Sequence, residues 1–146
     1  MAELGHVVLY VRDLEDSSAF YSEVVGLRQI GRIFNDRGAL FSGGRTHHEL
    51  LLIEVDDAPG PLQGRRLGLY HIGWKVGDKL DDLREALQRV EAFGAEVDGL
   101  ANHTVSQSLY VRDPDGNEIE LYVDDPDYDW AESDEWMEAP VKGLDL

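Results

Sequence analysis

One succession of elements is written twice along this chain, and few architectures accommodate that. From Leu4 to Arg12, Val7, Leu9 and Val11 alternate with His6, Val8 and Tyr10, the two-residue period of a strand rich in β-branched residues. Asp13 offers an N-cap. In "LEDSSAFYSEVVG" the apolar Leu14, Phe20, Val24 and Val25 fit a short amphipathic helix with Gly26 as its stop. Three short strands follow, at about 27–34, 38–42 and 47–55, with turns at Asn35-Asp36 and Gly43-Gly44. After the Pro/Gly-rich "DDAPGPLQGRR", the segment "LYHIGWKV" restarts the pattern. "DKLDDLREALQRVEAFG" places Leu80, Leu83, Leu87, Val90 and Phe93 at helical spacing. Strands follow near 95–101, 106–112 and 118–123, the last two joined by the turn sequence "DPDGN". His6 and His71 fall at the same place in the two copies, each shortly after a leucine, and both helices end at a glycine, Gly26 and Gly94. The repeat predicts an α+β chain of two tandem βαβββ modules, about 1–58 and 67–124, followed by an acidic tail at 125–146. The modules are expected to form a curved, barrel-like mixed sheet around a shared cleft.

Charge and composition exclude several classes of function. With 30 acidic and 13 basic residues the net charge is −17, which repels nucleic-acid backbones and anionic membranes. The absence of cysteine removes disulfides, thiolate metal sites and cysteine nucleophiles. "MAELGHVVLYVRDLED" has neither the basic start nor the apolar run of a signal peptide, and no stretch approaches the roughly 18–20 apolar residues of a membrane span. A cytoplasmic protein is the expectation. In the tail, Tyr128, Trp130, Trp136 and Met137 stand among carboxylates. Large aromatics are unusual in a disordered segment, so the tail is expected to dock on the body of the protein or on a second subunit.

A histidine in an apolar strand is usually a hydrogen-bonded core or boundary residue. The matched placement of His6 and His71 changes that weighting, because a pseudo-twofold between the copies would bring both imidazoles to one cleft. Glu120, in "NEIELYV", shares a strand face with Glu118 and Tyr122, while Ile119 and Leu121 share the other. A carboxylate so placed either faces solvent or is held by something positive, and Arg112 across the hairpin is the best basic candidate. Two histidines and one carboxylate, with positions left open, suit a divalent metal, non-haem iron(II) among them.

The repeated unit, together with "LGHVVLYVRDLEDSSAFYSEVVGL", "GLYHIGWKV" and "YVRDPDGNEIELYVD", resembles the vicinal oxygen chelate superfamily. That superfamily includes glyoxalase I, type I extradiol dioxygenases, fosfomycin-resistance enzymes, methylmalonyl-CoA epimerase and metal-free bleomycin-binding proteins. The likeness spans nearly the whole chain and implies metal ligands at His6, His71 and Glu120; it does not choose the reaction. Within the superfamily the chain is most similar to small catechol 2,3-dioxygenase-like extradiol enzymes. Tyr110, ten residues before Glu120, resembles the tyrosine whose hydroxyl bonds the bound catecholate. "GGRTHHELLL" resembles the strand that carries a second-sphere histidine acting as acid and base. His48 takes that role, with His47 as the alternative. His103 stands where such proteins often have a substrate-pocket residue. The resemblance implies iron(II), with manganese(II), nickel(II) or zinc(II) as alternatives. It further implies a small aromatic diol and dioxygen as substrates, in a homodimer or higher homo-oligomer.

Two other readings come with the same likeness. Aligning "HHELLL" with "NEIELYV" sets Glu49 opposite Glu120, where glyoxalase I-like members hold a fourth metal ligand. A closed set of two histidines and two glutamates would support isomerisation of a thiohemiacetal. His48 and Glu49 are strand neighbours and should point to opposite faces, so only one of them faces the cleft. The carboxylates of a glutathione substrate would also need Arg37, Arg45, Arg65 or Arg66. The remaining reading is a metal-free antibiotic-binding resistance protein, which the retention of all three ligand positions argues against.

Overall fold

The computed structural model describes all residues, Met1–Leu146. It divides into two compact units: Met1–Leu62 with Pro114–Gly116, and Gln63–Asp113 with Asn117–Leu146. No helix is long and apolar enough to cross a membrane.

In the first unit β1 (Val7–Val11) leads into α1 (Leu14–Phe20), then β2 (Arg28–Ile33), β3 (Gly38–Ser42) and β4 (Leu50–Glu54). The sheet order is β1-β4-β3-β2, with β1 parallel to β4 and the other pairs antiparallel. Asp13 caps α1 by accepting from the Asp16 N–H at 2.9 Å. The helix widens into a π-turn over Tyr21–Val25, which keeps Tyr21, Val24 and Val25 buried, and stops at Gly26, whose φ of +94° favours glycine. Phe20, Tyr21, Phe41, Leu50 and Leu52 form the centre of this core.

The second unit repeats the plan with β5 (His71–Gly77), α2 (Leu80–Phe93), β6 (Val97–Asn102), β7 (Ser106–Arg112) and β8 (Glu118–Asp124), in the order β5-β8-β7-β6. Leu83, Ala86 and Val90 of α2 are buried, as are Leu109, Val111, Ile119, Leu121 and Val123. Burial alternates strictly along β8, so Glu118, Glu120 and Tyr122 share the face away from that core. The Asp82 carboxylate accepts from the Asp78 and Lys79 N–H groups at 2.9 and 3.2 Å and closes the start of α2. The tail docks on this unit: Lys142 and Asn102 exchange backbone hydrogen bonds of 2.9 Å. Within the tail, the Tyr128 hydroxyl accepts from the Trp136 N–H at 2.8 Å.

The predicted helices and strands are present in order. The two βαβββ modules that the repeat predicts are likewise present. Each module's strands pair among themselves, giving two four-stranded mixed sheets and no closed barrel.

Candidate active site

The second unit gathers four of the predicted residues on one sheet face. His71 opens β5 and Glu120 lies in β8; His71 Nε2 and Glu120 Oε2 are 3.0 Å apart. The other oxygen of Glu120 accepts from the Ser108 hydroxyl at 2.5 Å and from the Tyr110 hydroxyl at 3.3 Å. Both come from β7, where Tyr110 is the register partner of Glu120. His103 Nε2 lies 2.7 Å from the Tyr110 hydroxyl. Burial, and then the charge of Glu120, push the Tyr110 hydroxyl up to about 12, so it is a proton carrier in its neutral form. The second nitrogen of His71, Nδ1, lies 3.1 Å from Glu118 Oε2. Arg112 pairs with Glu118 at 3.4 Å and with Asp98. Arg112 thus serves Glu118 and leaves Glu120 to the two hydroxyls and the imidazole.

In the first unit His6 precedes β1 and is exposed. The His48 ring lies against it, with centroids 4.7 Å apart. His47 Nδ1 is 2.6 Å from His48 Nδ1. Desolvation first, then the neighbouring His47 and His6, hold the His48 imidazole below its ordinary value. Arg45 donates to the Leu4 and Gly5 carbonyls at 2.8 and 3.1 Å and so tethers the chain leading into His6.

Glu49 departs from the sequence alignment. Val7 pairs with Leu50, and the Val7 N–H donates to the Glu49 carbonyl at 2.9 Å. That ladder sets His6 against Glu49 in the way β5 and β8 set His71 against Glu118. The counterpart of Glu120 is therefore Leu51, which corrects the pairing of Glu49 with Glu120. Glu49 is buried, and its carboxylate accepts from the Gly43 and Arg45 N–H groups at 3.0 and 3.1 Å. Burial alone would raise its pKa; these bonds outweigh burial and leave it lowered. Because β4 begins only at Leu50, strict alternation does not govern His48 and Glu49. His48 turns to His6 while Glu49 turns to the 43–46 loop.

No group of three or more histidine and carboxylate side chains is gathered closely enough to hold a metal, but one pair, His71 and Glu120, has a spacing that two ligands of a divalent ion could share. Two ligands about 2.1 Å from an ion and at right angles to each other lie roughly 3.0 Å apart. The separation of His71 Nε2 and Glu120 Oε2 is 3.0 Å. Each ring nitrogen of His71 faces a carboxylate oxygen, Nδ1 that of Glu118 at 3.1 Å and Nε2 that of Glu120 at 3.0 Å, and a cation between Nε2 and Glu120 would leave Nδ1 to carry the proton toward Glu118. Sequence reasoning placed Glu118 on this face but missed its hold on His71, and it missed Ser108 altogether. The alternation of "SQSLYVR" against "EIELYVD" was the available signal, since cross-strand partners share a face.

The glyoxalase/bleomycin resistance protein/dioxygenase superfamily model matches residues 3–121. The chain belongs to that superfamily. Among curated members, it is 34% identical over 128 residues to the catechol-2,3-dioxygenase of Bacillus subtilis (strain 168), covering 87% of this chain and 43% of that protein. It is 28% identical over 145 residues to biphenyl-2,3-diol 1,2-dioxygenase 2 of Rhodococcus globerulus, covering 97% of this chain and 72% of that one. Among solved structures, lactoylglutathione lyase from Agrobacterium tumefaciens superposes with a TM-score of 0.61 at 27% identity, covering 84% of this chain and 94% of that one. The chain thus spans less than half the length of the Bacillus member. Superfamily membership covers both ring cleavage and lyase chemistry, so the choice between them rests on the site.

Proposed function

We propose that this superfamily member is a metal-dependent extradiol dioxygenase that cleaves a catechol-like aromatic diol with dioxygen. His6, His71 and Glu120 are the proposed ligands, iron(II) the proposed metal, and manganese(II), nickel(II) or zinc(II) the alternatives. The observation that carries this reading is Leu51 at the place equivalent to Glu120, with Glu49 engaged by the Gly43 and Arg45 amides. A ligand set of three leaves positions open for both a diol and a gas, whereas isomerase chemistry of the glyoxalase type uses a fourth carboxylate.

Iron(II) held by these residues would supply the route for electrons between diol and dioxygen. Tyr110 orients the diol: its hydroxyl stays protonated and donates to a substrate oxygen placed beside Glu120. His103 Nε2, 2.7 Å from that hydroxyl, fixes its direction. His48, whose ring lies against that of His6, serves as acid and base. Ser108 keeps the Glu120 carboxylate from swinging away. Of the four arginines that a glutathione carboxylate could use, Arg37 is paired with Asp56 at 2.7 Å and Arg45 is bound to the Leu4 and Gly5 carbonyls, while Arg65 and Arg66 are exposed. Leu67, Leu69 and Tyr70, fully or largely exposed just before His71, form an apolar stretch suited to a subunit contact, which supports a homo-oligomer.

The lyase reading is kept by the likeness to the Agrobacterium enzyme. One experiment separates the two. Protein loaded anaerobically with iron(II) is given a panel of catechols in an oxygen electrode, and separately methylglyoxal with a thiol. Dioxygen uptake with product absorbance in the near-ultraviolet or visible supports ring cleavage. Thiol-dependent isomerisation without dioxygen uptake overturns it.

A further inference from the structure

Every strand of the second sheet contributes one residue to a single row of charge. In spatial order these are His71 of β5, Glu118 of β8, Arg112 of β7 and Asp98 of β6. His71 Nδ1 meets one Glu118 oxygen at 3.1 Å, Arg112 Nη2 meets the other at 3.4 Å, and Arg112 Nε pairs with Asp98. Arg112 Nη1 also donates to Gln63 at 3.2 Å. The row is built rather than incidental. The β6–β7 register slips between Val97 and Gly99, so Asp98 is the extra residue of a bulge, and bulges re-aim a side chain. Glu118 is only 12% exposed, too enclosed for a carboxylate without partners.

We propose that Glu118, clamped by Arg112, is a positioning residue that accepts the Nδ1 proton of His71 and so presents Nε2 as the metal-ligating nitrogen. This rests on the metal-centre reading above. Tautomer and ring angle are set together, because the imidazole can donate to Glu118 only in one orientation about its χ angles. The first module has a glutamate at the same register, Glu49, but it is turned into the 43–46 loop. The arrangement therefore belongs to the second module.

The test uses zinc(II) alone as the probe, so that neither dioxygen nor diol enters. Affinity is measured by competition with a chromogenic chelator, and the His71 Nδ1–H resonance is followed by NMR. Glu118→Ala is expected to weaken zinc binding about 10–100-fold. The exchange-protected imidazole N–H signal is expected to disappear, while circular dichroism stays unchanged. Glu118→Gln offers one acceptor oxygen to two donors, His71 Nδ1–H and Arg112 Nη2, and is expected to fall between wild type and Glu118→Ala in both readouts. Zinc affinity of Glu118→Ala within about twofold of the wild type, with the resonance intact, overturns the inference. Wild-type protein that takes up no divalent metal overturns the metal-centre reading together with this inference.

Discussion

Removing the Ser108 hydroxyl tests how Glu120 is held. Ser108 is fully buried and donates to Glu120 Oε1 at 2.5 Å; the remaining support of that oxygen is the Tyr110 hydroxyl at 3.3 Å. Alanine is smaller by one atom, so Ser108→Ala opens little space, and the loss is dominated by a hydrogen bond to a charged acceptor. Such bonds contribute about 1.5–3 kcal/mol. Glu120 is 15% exposed, so water recovers part of this, and about 1–2 kcal/mol is the expected net cost. For a chain of this size that lowers Tm by about 2–8 °C. The assay is urea unfolding at pH 7 in a double-mutant cycle of Ser108→Ala with Glu120→Ala. A coupling energy of about 1 kcal/mol or more is expected; one below about 0.5 kcal/mol refutes the claim that this contact holds the carboxylate.

Tyr110 should ionise late: spectrophotometric titration should show a phenol near 12 that is missing in Tyr110→Phe. Since its folded value is raised above the unfolded 10, its contribution is complete below pH 10 and declines as pH rises toward 12, so urea midpoints should fall across that window. His48→Ala is expected to retain metal and lose ring-cleaving activity by about 10²–10⁴-fold. Loss of metal measured on the same sample would make His48 a ligand. At Gly77 an added Cβ overlaps the Asp82 side chain. Gly77→Ala should therefore displace the carboxylate that closes α2 and cost about 1–2 kcal/mol by chemical denaturation.

The tandem modules were legible because period-two strands and period-3.6 helices alternate twice, each helix closing on a glycine at positive φ. The shared face of Glu118, Glu120 and Tyr122 was legible as well, since burial alternates strictly along β8. The misplacement of Glu49 has a definite cause. Aligning "ELLL" with "ELYV" is off by two residues from the true equivalence of Glu49 and Glu118, and a two-residue slip leaves every side chain on the same face. Hydrophobic alternation cannot detect it; only the backbone ladder from Val7 to Leu50 does. The His48–His6 contact was similarly outside the reach of periodicity, because β4 starts two residues after His48 and the preceding turn sets the side-chain directions. Asp98 was invisible for a related reason: a bulge shifts the β6 register locally and leaves no mark in the apolar pattern.

The most direct test of the account is isotopic. Iron(II)-loaded protein, turning over a catechol under ¹⁸O₂, should yield a ring-opened product carrying both labelled oxygen atoms by mass spectrometry. Product without label, or a diol left intact while a thiohemiacetal is isomerised by the same preparation, would contradict it.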